Sequence, residues 1–181
     1  MNRLFRALGI VGLCVGVIAS TAVGQDAQAA AADMDPQLRA LLAVRDSVAR
    51  VRNEIARFRR DLSMVGSQTV VGRSRRLTSA CQGLQAALSQ ARPNLRARPG
   101  APAQVRRASE AMLDEMRAMS ATLDTECRTG LRPEGPGEWP DSLKSWGPHR
   151  TNNMEQRIVA YERAAATFAK ASDLEFPPKG H

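Results

Sequence analysis

The sequence predicts an all-α fold, an antiparallel four-helix bundle with a long loop before the last helix. Apolar residues follow a heptad spacing for four heptads from Leu41, and three later stretches also repeat them at helical intervals. No run of alternating β-branched residues is long enough for a strand. Helices with one apolar face and short connections pack most simply as an antiparallel bundle.

The first helix is predicted over about residues 36–65. Asp35 supplies an N-cap, Pro36 suits the first helical position, and Gly66 suits a helix end. The apolar residues are spaced 3-4-3-4-3-4-3, at Leu41, Val44, Val48, Val51, Ile55, Phe58, Leu62 and Val65. Such a regular run favours packing against another helix, either in the same chain or in a second copy. A homodimer is therefore an alternative.

Three further helices are predicted over about 72–91, 103–128 and 152–172. Pro93 ends or kinks the second, Gly130 closes the third, and Thr151 or Asn152 caps the fourth. Their inward faces carry Leu77, Cys81, Leu84, Leu88 and Ala91, then Val105, Met112, Met116, Met119 and Leu123, then Met154, Ile158, Tyr161, Ala165 and Phe168. The loop 129–150 is rich in proline and glycine and longer than such a connection needs.

The N-terminus has the pattern of a secretory signal peptide. Arg3 and Arg6 precede an uncharged run, Ala7–Gly24, that ends in small residues. The expected division is a signal peptide over 1–24, a flexible linker over 25–34, one helical domain over 35–176 and a tail over 177–181. We therefore expect a secreted or periplasmic protein, and the alternative is a membrane anchor through residues 7–24.

Cys81 and Cys127 are expected to form a disulfide, because exported chains meet an oxidising compartment. In a simple hairpin of the second and third helices, however, the two cysteines are staggered by roughly 20 Å, beyond disulfide reach. Three solutions remain open. The second helix continues past Pro93, which we favour, or the third helix bends, or the bond links two chains.

Charge is distributed unevenly along the chain. Residues 35–107 contain fifteen arginines, no lysine and four acidic residues, a net charge of +11, whereas residues 108–181 contain nine basic and twelve acidic residues, a net charge of −3. A bundle of this sequence has a basic side that attracts anions. The arginines expected to bind an anion or partner are Arg57, Arg59, Arg60, Arg73, Arg75 and Arg76. The alternative is that they only keep solvated helix faces soluble.

Two other groups of residues are candidates for binding. Met112, Met116 and Met119 share a helix face and could hold Cu(I), although methionines at this spacing more often fill a core. Trp139, Trp146 and His149 lie in the predicted loop, as a contact surface or as a plug over one bundle end. No histidine occupies an inward-facing helical position suited to haem or di-iron.

These observations favour a non-enzymatic function without a cofactor. The chain lacks a nucleophile elbow, a zinc-protease motif and a phosphate-binding glycine loop. Nucleic acid is a poor ligand, because no aromatic residues are interspersed among the arginines. We expect an exported bundle that binds a protein partner or an anionic envelope component, including a membrane surface, through its arginine-rich face. The alternative is a bundle that carries haem, copper or a small apolar molecule.

Overall fold

Four α-helices and one π-helical turn make up most of the described chain. The structure is a computed structural model that describes residues 34–64, 67–129 and 141–175. The helices are α1 (Pro36–Met64), α2 (Ser67–Ala91), α3 (Ala103–Leu123) and α4 (Asp141–Ala171), with a π-helical turn at Asp124–Thr129. The described residues contain no strand, and the predicted all-α four-helix bundle is confirmed. The predicted signal peptide and most of the linker, residues 1–33, lie outside the described residues, as do residues 176–181.

α1 forms as its heptad pattern predicts. Six of its predicted inward residues are at most 2% exposed, and Leu62 is half-buried against the same core. The N-cap is also confirmed, because the N–H of Gln37 donates to the Asp35 carboxylate at 2.7 Å. The predicted last inward residue, Val65, lies outside the described residues.

α2 begins at Ser67, five residues before the predicted start. Its buried face is the predicted one: Leu77, Cys81, Leu84, Leu88 and Ala91 are all at most 3% exposed. The helix ends at Ala91, ahead of Pro93, whose ring nitrogen has no hydrogen to donate. The favoured expectation that the second α-helix continues past Pro93 is therefore wrong.

The connection after α2 nevertheless continues along the bundle before it reverses. The N–H of Leu95 donates to the carbonyl of Ala91 at 3.2 Å, which adds one more helical turn. The Ser109 hydroxyl on α3 then donates to the Leu95 carbonyl at 2.7 Å and accepts from the N–H of Ala97 at 3.0 Å. The chain thus reverses only beyond Ala97, where Gly100 adopts a φ of 80°.

This late reversal removes the expected stagger of the cysteines. α2 and α3 align so that the Gln85 side chain donates to the Ser120 carbonyl at 3.3 Å. The π-helical turn follows α3 directly and carries Cys127. Cys81 and Cys127 form an intramolecular disulfide with their Cα atoms 6.5 Å apart, so the predicted bond is confirmed and the interchain alternative is not needed.

α4 begins at Asp141, so the predicted helix start near 152 and its predicted cap are wrong. The remainder of the predicted loop, residues 130–140, lies outside the described residues. Ten residues that we expected to be irregular, 141–150, form its first turns, and Pro148 lies inside the helix. The Thr151 hydroxyl donates to the carbonyls of Gly147 and Pro148 at 3.0 Å. Packing of the buried Gly147 beside Phe58 and Leu62 then holds this end of α4 on the bundle.

The helices associate as two antiparallel hairpins. α1 packs mainly on α2, and α3 mainly on α4, while α1 and α4 also make direct contact. One continuous apolar core joins all four helices, with Phe58, Ile55, Leu84 and Phe168 fully buried in it.

Candidate functional site

Arg59, one of the predicted anion-binding residues, is directed at α4. Its Nε donates to the Thr151 hydroxyl at 2.9 Å, one terminal nitrogen donates to Glu155 at 2.8 Å, and the other donates to Asn152 at 2.6 Å. All three guanidinium nitrogens are thus engaged within the protein. The structure therefore gives Arg59 a role in joining α1 to α4.

Two other arginines are similarly paired with acidic residues. Arg52 makes a bidentate pair with Glu162 on α4, with nitrogen–oxygen distances of 2.6 and 2.8 Å. Arg73, another predicted site residue, donates to Asp61 at 2.7 Å and links α2 to α1. Part of the +11 charge counted in the sequence therefore lies between helices, where it is neutralised.

The remaining predicted arginines face solvent. Arg60, Arg75 and Arg76 are exposed. Arg57 has half of its side chain exposed and donates to Glu54, one turn earlier on α1, at 2.9 Å. These four side chains, unlike Arg59 and Arg73, are available to a ligand.

Arg57 on α1 and Arg76 on α2 both line a groove between these helices. The groove is open to solvent and has a volume of about 470 Å³. The third basic residue of the groove is Arg50. It was not among the predicted site residues, because nothing in the sequence distinguishes it from the other arginines. The full lining is Ser47, Arg50, Asn53, Glu54, Arg57, Arg76, Ser79, Ala80 and Gly83; we call it the arginine groove.

Small residues on α2 leave the arginine groove open. Gly83 lies on its wall, and a Cβ built there meets no atom within 4 Å. Glycine inside a helix costs about 1 kcal/mol relative to alanine. Neither helix propensity nor a close neighbour requires glycine at this position, and the space beside it is open.

Glu54 is the one acidic residue in the lining. One carboxylate oxygen accepts from Arg57, and the other is buried with no hydrogen-bond partner among the described residues. The side chain is only 16% exposed, so the Glu54 charge is presented weakly to the groove. Arg50 donates only to the Asp46 carbonyl and the Ser47 hydroxyl, which leaves its charge without an acidic partner in those contacts. The groove is consequently basic.

The candidate copper ligands lie inside the core. Met112, Met116 and Met119 are each at most 1% exposed. Met154, predicted on the inward face of the fourth helix, places its Sδ 3.9 Å from the Sγ of Cys81 in the disulfide. Within the described ranges, no three His, Cys, Asp or Glu side chains cluster as metal ligands would.

Two of the three residues expected in a contact loop lie on α4. Trp146 lies on α4, half-buried against the core, and the Arg150 guanidinium stacks 4.7 Å from the centre of its ring. His149 is exposed, with its Nε2 3.3 Å from the Asn153 amide nitrogen. Trp139 lies outside the described residues. Trp146 is thus a packing residue on a helix, which only the register of α4 reveals.

Tyr161 is an unusual core residue. It is 2% exposed, and its hydroxyl has no hydrogen-bond partner among the described residues. Burial raises the pKa of the Tyr161 phenol well above its usual value, and the negative charge of Glu162 raises it further. The buried hydroxyl therefore costs stability, since it loses water without gaining an acceptor.

We expect Tyr161→Phe to stabilise the protein by about 1 kcal/mol near pH 8, and by more at alkaline pH. The pKa of Tyr161 in the folded protein lies above its value near 10 in the unfolded chain. The unfolded state therefore releases this proton first, and the free energy of unfolding of the wild type falls as pH rises above about 10. Urea unfolding near pH 11 should show the wild type losing about 1.4 kcal/mol more than the variant does. Tyr161 is the only tyrosine, and equal losses in both proteins would contradict the expectation.

Comparisons with protein-family models, curated proteins and solved structures give no match for this chain. Across residues 34–64, 67–129 and 141–175, no helix combines the length and apolar character needed to cross a membrane. The Cys81–Cys127 disulfide is compatible with an oxidising extracellular or periplasmic compartment.

Proposed function

We propose that this protein is an exported, non-enzymatic binding protein that takes an anionic partner in the arginine groove. The partner is a protein or an envelope component that presents carboxylate or phosphate groups. The observation that carries the proposal is the meeting of Arg50, Arg57 and Arg76 around an open cleft with a single, largely buried carboxylate. Planar guanidinium groups match such anions in geometry as well as charge.

The secreted or periplasmic location is part of the same proposal. The signal-like N-terminal sequence and the disulfide both support it. Outside the cell or in the periplasm, acidic proteins and anionic glycans are among the ligands of this chemistry. Electrostatic attraction accelerates their association and makes it sensitive to salt.

Binding of two soluble probes, poly-glutamate and a carboxylated glycan, tests the proposal. Replacing Arg50, Arg57 and Arg76 with glutamine should weaken binding roughly tenfold, as expected for three partly exposed ion pairs. The matched control removes three exposed charges elsewhere, with Arg117→Gln, Lys144→Gln and Arg163→Gln. Equal losses in both triple variants would show that only net charge matters, and the groove would not be a site.

A second variant tests the cleft without altering charge. Gly83→Leu fills the open space beside the three arginines, whereas Gly72→Leu makes the same change at an α2 glycine outside the lining. We expect Gly83→Leu to weaken poly-glutamate binding at least about fivefold and Gly72→Leu to leave it unchanged. Unchanged binding in Gly83→Leu, with the fold intact by circular dichroism, would contradict the proposed site.

A further inference from the structure

A second group of arginines lies at one end of the bundle, away from the arginine groove. Residues 92–107 contain five arginines and no acidic residue. Four of these arginines are exposed: Arg96, Arg98, Arg106 and Arg107, which we call the arginine end. Asp35, where α1 begins, lies beside them, and its carboxylate accepts from Arg98 at 3.2 Å.

The backbone of the arginine end is held in place. The Arg96 carbonyl accepts from the Gln37 side chain at 3.4 Å, and the N–H of Ala101 donates to the Arg98 carbonyl at 3.1 Å. A terminal nitrogen of Arg106 donates to the Ala101 carbonyl at 2.6 Å. Pro93, Pro99 and Pro102 restrict the connection further. The positive charges are therefore presented from an ordered surface.

Arg106 and Arg107 stand at the electrostatically unfavourable end of α3. The partial positive charge at a helix N-terminus favours acidic side chains in the first turn. α3 has none there, and its N-cap residue, Pro102, makes no side-chain capping hydrogen bond. Local stability would favour Asp or Glu at these positions, so helix stability does not explain the positive charge collected here.

We propose that the arginine end rests on an anionic lipid surface. Chain connectivity supports a membrane over a protein partner. The uncharged run Ala7–Gly24 ends eleven residues before Asp35. Eleven extended residues span at most about 40 Å, so while that run is held on a bilayer, Asp35 stays within about that distance of the lipid.

The chemistry of the surface also favours lipid. Protein interfaces usually have a buried aromatic or aliphatic anchor at their centre. Among the described residues, the one large apolar side chain that is exposed is Val159, in the middle of α4. Four arginines without an apolar anchor match the diffuse negative charge of phosphate headgroups.

The arginine end and the arginine groove are separate surfaces. Arg50, the groove arginine nearest to Asp35 on α1, lies about 22 Å from it at the helical rise of about 1.5 Å per residue. That distance exceeds the screening length of about 8 Å at physiological salt, so the two surfaces act independently. The membrane proposal therefore does not depend on the proposed function of the groove, and variants of each test it separately.

Vesicle binding by the full chain tests the proposal. The probes are phosphatidylcholine vesicles and vesicles in which about a third of the lipid is phosphatidylglycerol. The ratio of the two partition coefficients isolates the electrostatic contribution from any insertion of residues 7–24. We expect the wild type to favour the anionic vesicles at least about tenfold at low salt, and less as salt is added.

Two variants that each lose four charges give the comparison. Arg96→Gln, Arg98→Gln, Arg106→Gln and Arg107→Gln together should lower the preference below about threefold. The control variant should keep the preference for anionic vesicles; it combines Arg50→Gln, Arg57→Gln, Arg76→Gln and Arg163→Gln. Retention of the preference in the first variant, or equal loss in both, would overturn the proposal. A third outcome would also overturn it: poly-glutamate binding that depends on the arginine end, with no preference for anionic vesicles. That result would assign this surface to acidic proteins.

Discussion

Replacing Cys81 and Cys127 together with alanine should lower the free energy of unfolding by about 4 kcal/mol. The bond closes a loop with a sequence separation of 46 residues, and the estimate is the conformational entropy that such a loop removes from the unfolded chain. Both cysteines are at most 2% exposed, so loss of their packing adds to the effect. This is a large share of the stability of a domain of this size.

Urea denaturation of the wild type and the double variant measures this loss. The single variant Cys127→Ala is the informative control, because it also breaks the bond but leaves Cys81 in the core. If the covalent link is the main cause, the single and double variants should lose similar amounts. A double variant within about 1 kcal/mol of the wild type would contradict the expected role of the disulfide.

Phe58→Ala is expected to cost about 3–5 kcal/mol. Phe58 has no exposed surface and lies where the first turns of α4 cross α1. Removing the ring leaves a cavity that a bundle tied by the Arg59 and Arg52 contacts cannot easily close. Val159→Ala, at an exposed position, should change stability by less than about 0.5 kcal/mol in the same unfolding measurement.

Gly147→Val identifies the contact behind this cost. A Cβ at Gly147 would lie 3.1 Å from a ring carbon of Phe58 and 3.0 Å from a methyl carbon of Leu62. In the wild type the added side chain should destabilise the bundle by about 1–3 kcal/mol. With Phe58→Ala the cavity can accept it, so the cost of Gly147→Val should shrink. Additive effects in this double-mutant cycle would argue against the contact.

The first half of the fold could be read from the sequence because its information is local. The heptad of α1 identified both the helix and its buried face, and Asp35 identified its start. The early start of α2 at Ser67 was missed, since Gly72 and the polar residues around it resemble a linker. The disulfide partners were evident, but the path that joins them depends on the hydrogen bonds of Ser109 with the connection.

Long-range contacts explain what the sequence did not reveal. Gly147 and Pro148 ordinarily predict irregular structure. Here both lie inside a continuous α4, and Gly147 packs closely against Phe58. Arg59 and Arg60 are neighbours with the same chemistry, and only the register of α4 gives Arg59 three polar partners while Arg60 stays exposed. The arginine groove likewise requires the alignment of α1 with α2, which brings Arg76 and Arg57 into the lining of one groove.

The hairpin organisation gives the disulfide a further consequence. Two hairpins with more contacts within each than between them could be exchanged between two copies of the chain, with residues 92–102 as the hinge. The Cys81–Cys127 bond ties α2 to the π-helical turn, so it links the two hairpins a second time. Each hairpin then meets its own partner at an effective concentration of about millimolar or more, far above that of a second copy. While this bond within one chain is intact, exchange of hairpins with a second copy requires that it be broken first.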